Sequence, residues 1–159
     1  MFLSLVAGLL IAGAAEKPEL TPQANGNKTP FYHPDPPEWR IWASVAYFKD
    51  KLYYLGGKNG TNSKTWTDTN RVNVLLDGTW QTGPAFPHPI HSVQAITHYE
   101  MLYVIDGLNS DKIYRLSDDE QKWIEIGKIP EIPVSFGVAS LNRKIYITGG
   151  SRSLILYDK

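Results

Sequence analysis

The chain contains no cysteine, so no disulfide can staple it and no thiolate can serve as nucleophile or metal ligand. Charge bias is also missing: 16 Lys and Arg stand against 16 Asp and Glu, a formal net charge of zero over 159 residues. A neutral domain lacks the broad positive field that draws phosphate backbones or acidic lipid, which excludes nucleic acid as the expected partner. No apolar run reaches the roughly eighteen residues that read as a membrane span. No stretch carries a sustained 3.6-residue apolar period, so long amphipathic helices are not expected. G-x-S-x-G, H-E-x-x-H and a glycine-rich phosphate loop are all lacking, and with them the usual signatures of nucleophile, zinc and nucleotide chemistry. The expectation is no cofactor and no metal.

What is present starts with the uncharged segment "MFLSLVAGLLIAGAA", residues 1–15, followed at once by polar "EKPELTPQANGNK". The run ends in small residues, and Ala12-Gly13-Ala14 fits the A-x-A rule. It reads as a secretory signal peptide cleaved after Ala14 or Ala15, although its first region has no Lys or Arg. That predicts a secreted protein, extracellular or periplasmic, with no membrane anchor once the signal is removed. Residues 16–39 form a Pro-rich polar arm or linker. Two sequons, at Asn27 and Asn59, are possible glycan acceptors in a eukaryotic secretory pathway.

The strongest pattern is a repeat. Tyr53, Tyr103 and Tyr146 each sit in an apolar run that stops on glycine, as "LYYLGG", "LYVIDG" and "IYITGG", at intervals of 50 and 43 residues. Trp80–Leu116 lies over Trp123–Lys159 for 37 positions without a gap, with seven identities that include Trp80 with Trp123, Tyr103 with Tyr146, Gly107 with Gly150 and Tyr114 with Tyr157. The surplus of the first unit falls in "KNGTNSKTWTDTN". Each unit resolves into short strand-sized runs bounded by Gly, Asn and Asp: "ASVAYFK", "LYYLGG", "RVNVLL" and a fourth that begins at Trp80 in the first unit. A period in the forties with four strands per unit signals a propeller blade.

These landmarks resemble the Kelch repeat: an apolar strand ending in Gly56-Gly57 or Gly149-Gly150, then a Tyr (Tyr114, Tyr157), then a Trp (Trp80, Trp123) closing the unit. The second unit departs from the pattern, with Asp106-Gly107 in place of the glycine pair. The resemblance implies an all-β fold: a β-propeller segment of four-stranded antiparallel blades in an incomplete ring, with units near 40–82, 87–125 and 130–159, the last incomplete. It also implies that the second strand of each blade runs near the central axis and that the aromatic landmarks pack between sheets. Open blade edges would then invite self-association.

In such a blade the second-to-third-strand loops share a face with the blade-to-blade links. That face would gather residues 59–69, 84–91, 108–112 and 131–134. Arg40, Trp66, Phe86, His88 and His91 are its candidate contact residues, since Trp and Arg anchor interfaces. The partner would be a protein or a glycan. His88 and His91 flank Pro89 with no further ligand at metal spacing, and the acidic run 117–120 reads as a solvated hairpin turn. The resemblance leaves an alternative, a fragment of a carbohydrate-active enzyme such as a sialic acid epimerase. A galactose oxidase is disfavoured, because its crosslinked cofactor needs a cysteine.

Overall fold

A computed structural model describes residues 35–107, 110–130 and 135–150, together with the backbone of 155–158. The expected signal peptide with Ala14 and Ala15, the sequon at Asn27, most of the polar arm and the side chain of Tyr157 lie outside the described residues.

Alternation sets the strands. In β1 (Ser44–Phe48, SVAYF) every second residue is buried, and the chain turns back into β2 (Lys51–Leu55). A two-stranded hairpin, β3 (Lys58–Asn59) and β4 (Thr67–Asp68), takes up the long loop, and β5 (Val72–Leu76) and β6 (Thr79–Thr82) finish the first unit. The second unit is β7 (Gln94–His98), β8 (Met101–Ile105), β9 (Lys112–Leu116) and β10 (Trp123–Lys128). The third is β11 (Phe136–Leu141), β12 (Lys144–Gly149) and β13 (Ile155–Asp158). The sheets run β1-β2-β5-β6, β7-β8-β9-β10 and β11-β12-β13, with every pairing antiparallel. No helix occurs among the described residues, and the three sheets do not close a ring. We call them blades 1, 2 and 3.

The core is the material between blades. One layer joins Ala46, Phe48, Tyr53, Leu55, Val72 and Val74 of blade 1 to Leu102, Val104, Tyr114, Leu116 and Trp123 of blade 2. The next joins Tyr103, Ile105 and Ile113 of blade 2 to Phe136, Ile145 and Ile147 of blade 3. Strand β8 serves both: Leu102 and Val104 face one way, Tyr103 and Ile105 the other, and all four are sealed from water. Each such side chain contributes about 1.5–3 kcal/mol relative to exposure. The aromatic landmarks Tyr103, Tyr114 and Trp123 therefore do pack between sheets, as the repeat implied.

The innermost strand differs from expectation. It is the first strand of each unit, not the second, that meets its counterparts: β1 lies against β7, and β7 against β11. The second strand sits one place outward. It is flanked on both sides within its own sheet, which is why it is the most apolar run in each unit.

Candidate functional site

Among the described residues, the loops beyond the ends of β2 and β8 share a face with the link between blades 1 and 2, and in blade 1 the loop is stitched to that link. The Gly57 amide donates to the Ile90 carbonyl (2.8 Å), the Ile90 amide to Thr69 (3.1 Å), the Thr69 amide to Gly57 (3.0 Å) and the Ser92 amide to Trp42 (2.9 Å). This closeness explains the glycine pair. Gly56 and Gly57 have φ of +61° and +93°, and a Cβ on them would stand 2.9 Å from the Ile90 carbonyl oxygen and 2.8 Å from that of Ile41. Both the backbone conformation and the approach exclude a side chain. Gly107 serves the second need alone, since its Cβ would lie 2.3 Å from the Ser92 carbonyl oxygen.

On this stitched face the structure gathers an aromatic and histidine patch. Trp42, held at φ +55° just before β1, is 53% exposed. The half-buried Trp66 from the β3–β4 hairpin meets it edge-on at 5.7 Å, and the His91 ring lies 5.7 Å from it on another side. His91 Nδ1 is 3.0 Å from Asp68 Oδ2, and Lys58 Nζ, 3.1 Å from the other oxygen of Asp68, stands 5.7 Å above the Trp42 ring. Farther along the same link, His88 Nε2 is 2.8 Å from the buried Asp106, whose other oxygen accepts from the Gly107 amide at 2.8 Å. When neutral, each ring donates its bonded N–H to the carboxylate and keeps the second nitrogen as an acceptor. The two histidines thus hold separate aspartates, one per blade, and among the described residues no three ligands meet to hold a metal. The patch offers flat aromatic contact bordered by fixed polar groups, which suits recognition.

Of the five candidates, Trp66 and His88 are accessible on this patch, whereas His91, 7% exposed, is buried beneath it and braces Trp42 instead of facing a partner. Arg40 does not belong to the patch. Its guanidinium is buried, donating to Arg71 O (3.0 Å), Tyr54 O (3.1 Å) and Asn73 Oδ1 (3.0 Å) while lying 4.0 Å from the Tyr54 ring centroid. It ties the entry strand to blade 1 and presents nothing outward. Phe86, 1% exposed, packs under the link against Tyr114 and Trp123. Trp42 was missed because nothing in "RIWASV" distinguishes an exposed Trp from a core one.

The run 117–120 is also more than a solvated turn. Asp118 is exposed, but Glu120, held at φ +59°, reaches back to blade 1. Its carboxylate accepts from Lys51 Nζ (2.5 Å), Tyr53 Oη (2.6 Å) and Lys49 Nζ (3.3 Å). Burial works against its ionisation, yet these three donors outweigh it and hold the Glu120 carboxyl below the usual range. Burial first, and then the bond to Glu120, pushes the Tyr53 phenol far above its ordinary value. The clip borders a cleft of about 420 Å³ between the outer strands of blade 1 and the 117–121 turn.

No protein-family model matches the chain. Individual relatives do. A Kelch domain-containing protein of Saccharolobus solfataricus is 33% identical over 70 residues, 44% of this chain and 9% of that one. Kelch-like protein 23 of Homo sapiens is 28% identical over 110 residues, 68% of this chain and 19% of its own length. Kelch-like protein 35 of Mus musculus is 28% identical over 116 residues, again 19% of its length. The chain is similar to Kelch-repeat proteins. The solved structure of YjhT, a Kelch-fold protein, superposes with a TM-score of 0.61 at 18% identity, over 70% of this chain and 44% of that one, which establishes the propeller fold. This chain spans about a fifth or less of the curated relatives it matches.

Proposed function

We propose that this Kelch-repeat module is secreted and binds a protein partner through the face that carries Trp42, Trp66 and His88. The observation that carries the reading is Trp42: a large aromatic held half out of the surface in a left-handed backbone conformation, braced by Trp66 and His91. Left-handed backbone costs an ordinary residue about 1–2 kcal/mol, and exposed Trp is the side chain most enriched where binding energy concentrates. Secretion rests on the apolar run and A-x-A site of residues 1–15, and glycans at Asn27 and Asn59 would follow from it. In the folded hairpin Asn59 is half-buried, its Oδ1 accepting from Thr67 Oγ1 at 2.8 Å.

A photo-crosslinking residue placed at position 66, with position 99 on the opposite face as control, tests the binding reading in medium or extract from the source. Capture of one defined protein from position 66, absent from position 99 and lost with Trp42→Ala, is the expected result. Capture from position 99 alone overturns the reading. Amino-terminal sequencing of the exported product should begin at Ala15 or Glu16, and an intact Met1 would refute the signal peptide.

A further inference from the structure

The cleft beside the Glu120 clip contains none of the Trp42 patch, and its walls come from two blades. One wall is β5 and β6 of blade 1, the other the 117–121 turn of blade 2. Its volume, about 420 Å³, falls within the roughly 300–1,000 Å³ of small-molecule sites. Strand alternation orders the lining. Tyr53, Val74 and Gln81 stand in one row across blade 1, on the face that packs on blade 2. Lys51 and Leu76 lie two residues along on that same face. Val74, Leu76 and Pro84 supply apolar surface, and exposed Gln81, Thr82, Asp119 and Gln121 supply a polar rim. The aromatic ring in the lining, Tyr53, is 1% exposed, so no open face stacks a nucleobase.

The charges here already have partners within the chain. Glu120 accepts from Lys51, Tyr53 and Lys49. One oxygen of Asp119 accepts from Ser117 Oγ (2.5 Å) and the Gln121 amide (3.2 Å), which hold that carboxyl below its usual range. A small ion entering the cleft competes with these contacts. The groups left for a ligand are the Gln81 and Gln121 side-chain amides, the Thr82 hydroxyl and the second oxygen of Asp119. Gln121 Nε2 donates to Asp119 O (3.1 Å), which fixes that amide in place. Amides and hydroxyls both donate and accept hydrogen bonds, as sugar hydroxyls do.

We propose that this cleft binds an uncharged pyranose sugar, its C–H face on Val74, Leu76 and Pro84 and its hydroxyls on Gln81, Thr82, Asp119 and Gln121. A pyranose matches the site on both counts, an apolar flank and a ring of groups that donate and accept. Free monosaccharide and the end of a glycan chain share this chemistry. The inference uses neither Trp42 nor Trp66, so it stands or falls apart from the proposed binding role.

Amide shift mapping by NMR on the whole chain tests it, with glucose, galactose, mannose and N-acetylglucosamine as probes, each also as its methyl glycoside. The expected result is saturable shifts with at least one sugar, confined to residues 74–84 and 119–121, with a Kd of about 1 mM. Gln81→Leu and Thr82→Val, both at exposed positions outside the clip, should each weaken binding about 5-fold. An unchanged urea midpoint confirms that each variant folds. Binding of the free sugar but not of its glycoside marks a monosaccharide as the ligand, and equal or tighter binding of the glycoside marks a chain end. No shift with any probe at tens of millimolar, shifts that map elsewhere, or an affinity indifferent to both substitutions each overturns the proposal.

Discussion

The two layers between blades are joined by different means. Between blades 2 and 3 the apolar set of Tyr103, Ile105, Phe136, Ile145 and Ile147 is accompanied, among the described residues, by a polar contact of His98 Nδ1 with Ser140 Oγ at 2.6 Å. Between blades 1 and 2 an apolar layer of similar character is crossed by many directed bonds. Trp123 Nε1 donates to Pro84 O (2.9 Å), the Ala95 amide to Ser44 Oγ (2.9 Å), Thr97 Oγ1 to Tyr47 O (2.5 Å) and Lys51 to Glu120 (2.5 Å). Apolar area supplies most of the free energy but tolerates sliding, because it has no direction. Hydrogen bonds add about 1 kcal/mol each and fix one registration. The first layer is therefore set in both energy and geometry.

Removing the largest apolar element of the first layer should break the comparison most severely. Trp123→Ala deletes a buried indole and orphans the Pro84 carbonyl, and we expect a loss of about 3–5 kcal/mol in urea unfolding. A loss no larger than that of a surface substitution would mean the layer is not the core.

Glu120→Gln probes the directed part and should cost about 1 kcal/mol, the clip being partly open to solvent. The effect has a predicted pH dependence. The folded carboxyl titrates below its ordinary value of 4.5, so its contribution is fully present above that pH and fades as pH falls through the lower folded value. The difference in stability between the parent and Glu120→Gln should be constant near neutrality and vanish in acid. An Ile147→Ala variant in the second layer should show a pH-independent difference. A flat profile for both would erase the distinction between the layers.

The smallest effect concerns a turn. The hairpins joining the first two strands of the three blades turn on Lys49-Asp50, Tyr99-Glu100 and Asn142-Arg143, all with φ between +43° and +67°. Two-residue hairpin turns of this type favour Asn-Gly because other residues are strained there. Glu100→Gly should raise stability by about 0.5–1 kcal/mol, read as a higher urea midpoint with an unchanged slope. A lower midpoint would show that the turn side chains contribute packing that outweighs their strain.

Much of the fold could be read along the chain because it rests on local pattern. Alternation in "SVAYF", the glycine stops after Leu55 and Thr148, and the 43-residue return of Tyr and Trp each reflect a constraint within one blade. The β3–β4 hairpin leaves no strand signal, since "KNGTNSKTWTDTN" has no apolar alternation and its bonds run between polar side chains such as Asn59 and Thr67. Contacts between distant residues left no mark. Arg40 looked like an interface arginine because burial by Tyr54, Arg71 and Asn73 is invisible in "EWRIW". Glu120 looked solvated because its partners lie 67 to 71 residues away. The aspartates that hold His88 and His91 come from 18 and 23 residues away, one just past β8 and one in β4, so the sequence around "HPIH" could suggest neither pairing.

The link between blades 1 and 2 has one more implication. From Gly83 to Ser92 its backbone is bonded into blade 1 at Val72, Asn70, Thr69 and Gly57, while Pro84 and His88 are held by Trp123 and Asp106 of blade 2. The stretch where one repeat ends and the next begins is therefore not a seam in the molecule. A protease nick among residues 84–89 should leave two fragments that remain together under native conditions, and the two blades should melt in a single transition. The unit that the sequence duplicates and the unit that unfolds cooperatively are different lengths of chain.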